Sequence, residues 1–327
     1  MIGILCNQKK ENILAKQFHT LLDSLDLPKR AQIMVFTIPN VNFSNMTVQG
    51  TFVSGDKITQ AEAKLPAAIF NFSVQYKKAN IKKLRALIEA KDVLVINPTN
   101  QFNQFPIMDM LSANKKIRKL IFSYSKYSGD DTLFAFTKDK NLLIKPQSKP
   151  SLSRIAYVKH WLTGFDIMSN MDKFYCHTKD FLNKVRPIIH CRNWIALETP
   201  ELATYGNQLI VIRVYMQKCF DEEWTVITKD MYPQDKELRN KLTQNLDSIA
   251  LQIVSHINCF ITNLGISYID FVFDTHGSPY FLNFGGYDDA LLDEKRDKRA
   301  QENFLKNMLE YARVFINKPK GGINYVG

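Results

Sequence analysis

The 327 residues are 45% apolar and 23% charged, the composition of a folded globular chain rather than a largely disordered one, and the length fits two or three packed units. No run of about 18 uninterrupted apolar residues encodes a membrane span, and the opening "MIGILCNQKKENILAKQF" turns polar too early for a secretory signal. The formal charge of +11 favours anionic partners without choosing among nucleic acid, an anionic surface and a phosphate-bearing ligand.

"MIGILC" reads as a short buried strand, "ENILAKQFHTLLDSL" as an amphipathic helix and "AQIMVFTI" as a second strand. "PAAIFNF" is a third strand, "ANIKKLRALIEAK" a helix and "DVLVINP" a fourth strand stopped by Pro98. Residues 1–97 therefore read as an α/β unit. "NQFPIMDMLSANKKIRKLIF" looks helical with a strand at its end, and "TLFAFTKDKNLLIKP" like two strands around "KDKN", the second ending at Lys145. "RIAYVKHWLTGFDIM" and "KFYCHTKDFLNKVRPIIH" mix strand and helix periods and stay unassigned. After "WIALET" come the long strand "NQLIVIRVYMQK", its antiparallel partner "EWTVITKDMY" and one long amphipathic helix, "ELRNKLTQNLDSIALQIVSHINCF". The hairpin "SYIDFVFDTHGSPYFLNFGG" and a terminal helix, "KRAQENFLKNMLEYARVFIN", complete the chain.

The basic runs "YKKANIKKLR", "NKKIRK" and "EKRDKRAQENFLK" have helical spacing and no aromatic platform, so they read as solvated helical faces, and nucleic acid is disfavoured as a partner. Five scattered cysteines suit a reducing compartment and cytoplasmic localisation better than a disulfide framework. The neighbouring pairs Cys176–His177 and His190–Cys191 lack zinc-ligand spacing, and nothing marks a Cys–His dyad.

The chemistry concentrates in the hairpin. Strand alternation puts Asp270, Val272 and Asp274 on one face of its first strand, and Asn283 and Gly285 together on the second. Such an oxygen-rich site would suit Mg²⁺ with nucleotide phosphates. Asp274 reads as a turn cap, and Arg213, inside an apolar strand, calls for a carboxylate partner.

Four blocks, "IFNFSVQ", "VINPTNQFNQFPIMDML", "LLIKP" and "LGISYIDFVFDTHGSPYFLNF", stand in the order found in the YheC/YheD family of endospore coat-associated proteins, which this chain resembles over nearly its whole length as a divergent member of the ATP-grasp superfamily. The resemblance implies an α/β (α+β) chain with an ATP-grasp fold. A domain of residues 1–97 would precede an ATP-grasp-like region, 98–327, whose subdomains, about 98–190 and 191–327, enclose ATP. In that superfamily a carboxylate is activated as an acyl phosphate and attacked by an amine. By position, Lys145 matches the lysine that reaches the nucleotide, Arg213 the catalytic arginine near the phosphates, and Asp270 the first metal ligand, with Asn283 on the second strand facing both metal and nucleotide.

Three departures bear on activity. Asn283, Phe284 and Gly285 stand where the family has Glu, any residue, Asn; "QSKPSLSR" after Lys145 lacks the family's glycines; and Val211 replaces an Asp. The expectation is weak or absent binding of Mg²⁺ and ATP, in a spore-associated binding or scaffold protein partnered by a nucleotide or by spore coat proteins. The alternative is an active ATP-dependent carboxylate–amine ligase that recruits Asp288 or Asp289 to the metal. Asn283→Glu with Gly285→Asn would be expected to return the missing ligands.

Overall fold

The computed structural model describes all residues except 26–30, 56, 127–139, 149–154, 170–171, 189–192, 234, 294 and 318–327. The first sheet comprises β1 (Ile2–Cys6), β2 (Gln32–Thr37), β3 (Val41–Asn42), β4 (Thr47–Ser54), β5 (Lys57–Lys64), β6 (Ala68–Asn71) and β7 (Leu94–Ile96). Strand order is β3-β4-β2-β1-β6-β7 with β5 paired to β4, and β1, β2, β6 and β7 run parallel. Helix α1 (Glu11–Ser24) buries Leu14, Ala15, Phe18, Leu21 and Leu22 at three- and four-residue spacing, and so packs a single stripe on the sheet. Helix α2 (Lys78–Ile88) covers the other face through Leu87. The β4–β5 hairpin has no counterpart in the sequence reading. Its outer strand is exposed along most of its length, which removes the alternating apolar signal.

The second sheet follows α3 (Gln104–Ala113). Its strands β8 (Ser123–Lys126), β9 (Asn141–Pro146), β10 (Ala156–Trp161), β11 (Gly164–Ser169), β12 (Asp172–His177) and β13 (Trp194–Thr199) are all antiparallel, in the order β12-β11-β10-β9-β13-β8. The short helix α4 (Phe181–Val185) packs under it. The unassigned stretch at 154–168 thus contains the β10–β11 hairpin. The first of the two strands expected around "KDKN" lies outside the described residues.

After the ribbon β14 (Thr204–Tyr205) and β15 (Gln208–Leu209) comes the third large sheet, β16 (Val211–Lys218), β17 (Trp224–Tyr232), β18 (Ile266–Phe273) and β19 (Pro279–Gly285), in the order β17-β16-β18-β19 and antiparallel throughout. The single long helix expected after β17 is two helices, α5 (Lys236–Leu242) and α6 (Leu246–Asn258), because Asn245 adopts the left-handed conformation at φ 62°. The helical stretch expected through "NKKIRK" stops at Ala113: Asn114 is extended, its side chain accepts from Lys116 N at 3.0 Å, and a 3₁₀ turn follows at Arg118–Leu120. The last helix, α7 (Lys298–Asn317), places Phe304, Leu305, Met308 and Leu309 in one core with Ile4 and Phe70 of the first sheet, Phe18 of α1, and Tyr215 and Ile266 of the third sheet. Among the described residues no helix is long and apolar enough to cross a membrane.

Buried amides weld the first sheet to the third. Asn97, at φ 57°, accepts from Gly265 N at 2.9 Å and Ile266 N at 2.8 Å, and donates to the Ile266 carbonyl at 2.6 Å and to Asn100 Oδ1 at 3.2 Å. Asn100 donates to the carbonyls of Asn71 and Ser73, while its Oδ1 accepts from Tyr287 N at 2.8 Å. Gln104 pairs both ways with the backbone of Phe284. Asn97→Ala removes four bonds and leaves at positive φ a residue that tolerates the left-handed region less well than asparagine. It should lower the unfolding free energy by about 3 kcal/mol in chemical denaturation, and Asn97→Gly should recover only the backbone part of that loss.

Candidate functional site

The pleat of the third sheet brings the candidate residues together. Arg213 is the cross-strand partner of Asp270, and Asp270 of Asn283, so all three side chains leave one face. Arg213 grips the fully buried Asp270 as a fork, Nε to Oδ1 at 2.7 Å and Nη2 to Oδ2 at 2.9 Å. Asn283 Nδ2 donates to Asp270 Oδ2 at 3.1 Å. Lys145 arrives from β9 of the second sheet, on the same strand face as Leu143. Its Nζ donates to the Leu282 carbonyl and, at 3.1 Å, to Asn283 Oδ1. Lys145, Asn283, Asp270 and Arg213 therefore form one hydrogen-bonded chain between two sheets.

Further residues close the chain at its outer end. Asp288, just past β19, accepts from Arg213 Nη1, and the Tyr268 ring lies 4.0 Å from the guanidinium carbon. Arg296 donates to both oxygens of Asp230 and stacks on Tyr215 at 4.7 Å. Burial opposes the Arg213 charge, but the charge and hydrogen bonds of Asp270, with Tyr268 and Asp288, hold its pKa well above the ordinary arginine value. Burial drops the Lys145 ammonium to about 7, and the charge of Asp270 offsets only part of that.

This donor set does not fit a divalent cation. Both Asp270 oxygens are held by Arg213, and Asn283 Oδ1 faces an ammonium rather than open space. Among the described residues no group of three His, Cys, Asp or Glu side chains is placed to hold a metal. The restoration expected from sequence also meets an obstacle: a β-carbon at Gly285 would lie 2.2 Å from the Tyr268 ring, so Gly285→Asn requires that ring to move. The recruits proposed for the metal are engaged elsewhere, Asp288 by Arg213 and Asp289 by Lys10.

Asp274 caps its turn, accepting from His276 N at 2.9 Å and Ser278 N at 2.8 Å, and Val211 pairs with Val272. Most of the loop after Lys145 lies outside the described residues, as do His190 and Cys191. Cys176 is buried and His177 exposed, as successive strand residues on opposite faces must be. Sequence reasoning missed Tyr268, Asp230 and Arg296. The last stood inside a run read as a solvated helix, and it precedes α7 instead.

Arg213→Met leaves a carboxylate buried without its cation and should cost about 3–5 kcal/mol in denaturant unfolding, most of it recovered by adding Asp270→Leu. A lysine with a lowered folded pKa releases its proton in the native state first. Stability is then reduced below about pH 7 and rises as pH climbs toward the unfolded value. Between about pH 6.5 and pH 8.5, below the thiol and phenol range, the unfolding free energy should rise, and Lys145→Met should flatten most of that slope.

No protein-family profile and no curated protein sequence matches the chain significantly. Among solved structures it is similar to the D-alanine-D-alanine ligase from Coxiella burnetii, with TM-score 0.55 and 9% identity over 95% of this chain and 94% of that one. VanG D-Ala:D-Ser ligase from Enterococcus faecalis aligns with TM-score 0.53 and 10% identity over 96% and 98%. The Chryseobacterium gregarium RiPP-associated ATP-grasp ligase, solved with ADP and a leader and core peptide, aligns with TM-score 0.51 and 8% identity over 97% of each chain. At these identities the likeness is one of architecture, and the chain has the ATP-grasp fold.

Proposed function

We propose that this chain is a non-catalytic ATP-grasp-fold protein that acts as a binding or scaffold protein, its metal and phosphate locus converted into an internal ion network. The observation that carries the reading is the commitment of Asp270: a fully buried carboxylate forked by Arg213 and touched by Asn283. A carboxylate so engaged is a structural counterion, because releasing an oxygen to a cation would strand a buried guanidinium. Lys145 has the same role from the other sheet. Its ammonium clasps Leu282 and Asn283, which supports a closed cleft. The order of the four motif blocks supports a YheC/YheD-like kinship and, with it, spore coat proteins as partners.

Calorimetric titration with ATP, with and without Mg²⁺, tests this reading. The expected result is weak or no binding and no gain from the metal, and Asp270→Asn should lower thermal stability without changing ATP affinity. Tight Mg²⁺-dependent binding that Asp270→Asn abolishes would overturn the proposal and support an active carboxylate–amine ligase.

A further inference from the structure

We infer that the outer face of α6, together with the turn at residues 114–119, is a docking groove for an extended acidic peptide segment of another protein. The groove has a volume of about 740 Å³ and lies between the end of α3 and α6. Ile117 and Leu251 are the apolar part of its lining, and Asn114, Lys116, Ser248, Gln252 and Ser255 the polar part.

Two independent features point to a partner. The first is on the helix. Ser248, Leu251, Gln252 and Ser255 follow helical spacing on the side away from the buried Ala250, Ile253, Val254 and Ile257, and this exposed stripe carries no charge. A solvent-facing stripe is ordinarily charged, whereas depletion of charge marks the core of protein interfaces. Asp247, the one carboxylate of α6, is held by Lys229 at 2.7 Å. His256 is turned to Asn114 and the Met110 carbonyl.

The second feature is the turn. Lys115, Lys116, Arg118 and Lys119 are exposed around the buried anchor Ile117, and among the described residues no salt bridge within 4.0 Å compensates any of them. As this segment is not α-helical, a solvated helical face does not account for them. One cation lining the groove, Lys116, and three beside it, with the apolar Ile117 and Leu251 in the lining, complement a segment bearing several carboxylates and an apolar side chain or two. The hydroxyl and amide groups of the lining suit an extended backbone. Single-stranded nucleic acid fits less well, because no aromatic side chain lines the groove to stack a base.

The test is fluorescence anisotropy on the full chain, with a labelled glutamate-rich peptide carrying two leucines, its glutamine counterpart and a single-stranded oligonucleotide. Two groove variants are compared with wild type: Lys115→Gln/Lys116→Gln/Arg118→Gln/Lys119→Gln, and Leu251→Glu. A control removes charge from α2, Lys77→Gln/Lys78→Gln/Lys82→Gln. All substituted side chains are exposed or half-buried, and circular dichroism confirms folding. The expected result is binding of the acidic peptide alone, weakened at least about tenfold by either groove variant and unchanged by the α2 control. No binding by wild type, equal loss in the α2 control, no effect of Leu251→Glu, or preference for the oligonucleotide would each overturn the inference.

Discussion

A carboxylate removed from water keeps its charge only beside a cation, and the pairing of Asp270 with Arg213 organises the centre of this molecule. The pair joins β16 to β18 in the middle of the third sheet. Its remaining donors and acceptors recruit the neighbours: Asn283 from β19, Asp288 from the following segment and, through Asn283, Lys145 from another sheet. Each link satisfies a polar group that the fold has already buried, so removing one leaves the next without a partner. The Tyr268 ring, against Gly285 and the Arg213 guanidinium, packs over the same network.

Around this centre the sheets are held by amides rather than charges. Asn97 and Asn100 occupy the short connection leaving β7 and bond to the start of β18 and the segment after β19. An asparagine can hold a left-handed backbone and still present a donor and an acceptor, a combination few residues offer in so little space. The ring of Phe72, just past β6, stacks on Tyr287 at 3.7 Å and shields this polar seam.

Legibility in the sequence followed the strength of periodicity. The parallel strands of the first sheet and the strands of the third were readable because their apolar runs are long and their turns marked, as at "DTHGSP", where Asp274 and Gly277 take the turn positions. The β3–β5 segment was not, since its two-residue strand is too short to show a period and the exposed edge strand β5 has no buried face to alternate with. Helices were read too long at Asn114 and Asn245, where side chain and backbone choices local to one residue overrode a good pattern. In the candidate site the need of Arg213 for a carboxylate was plain from its apolar neighbours. That Asp270 would be wholly consumed in meeting it depends on the register of β16 on β18, which sets Arg213 opposite Asp270 from 57 residues away.

The shared core around α7 has a consequence for synthesis. Phe304, Leu305 and Met308 complete the apolar surface on which Ile4, Phe18 and Phe70 rest, although three hundred residues separate the first of these partners from the last. While the chain is being translated, α1 covers only part of that face of the first sheet, and the rest stays open until α7 has been made. Strands β1 and β6 are thus made long before the helix that seals them, and part of their apolar surface stays exposed in between.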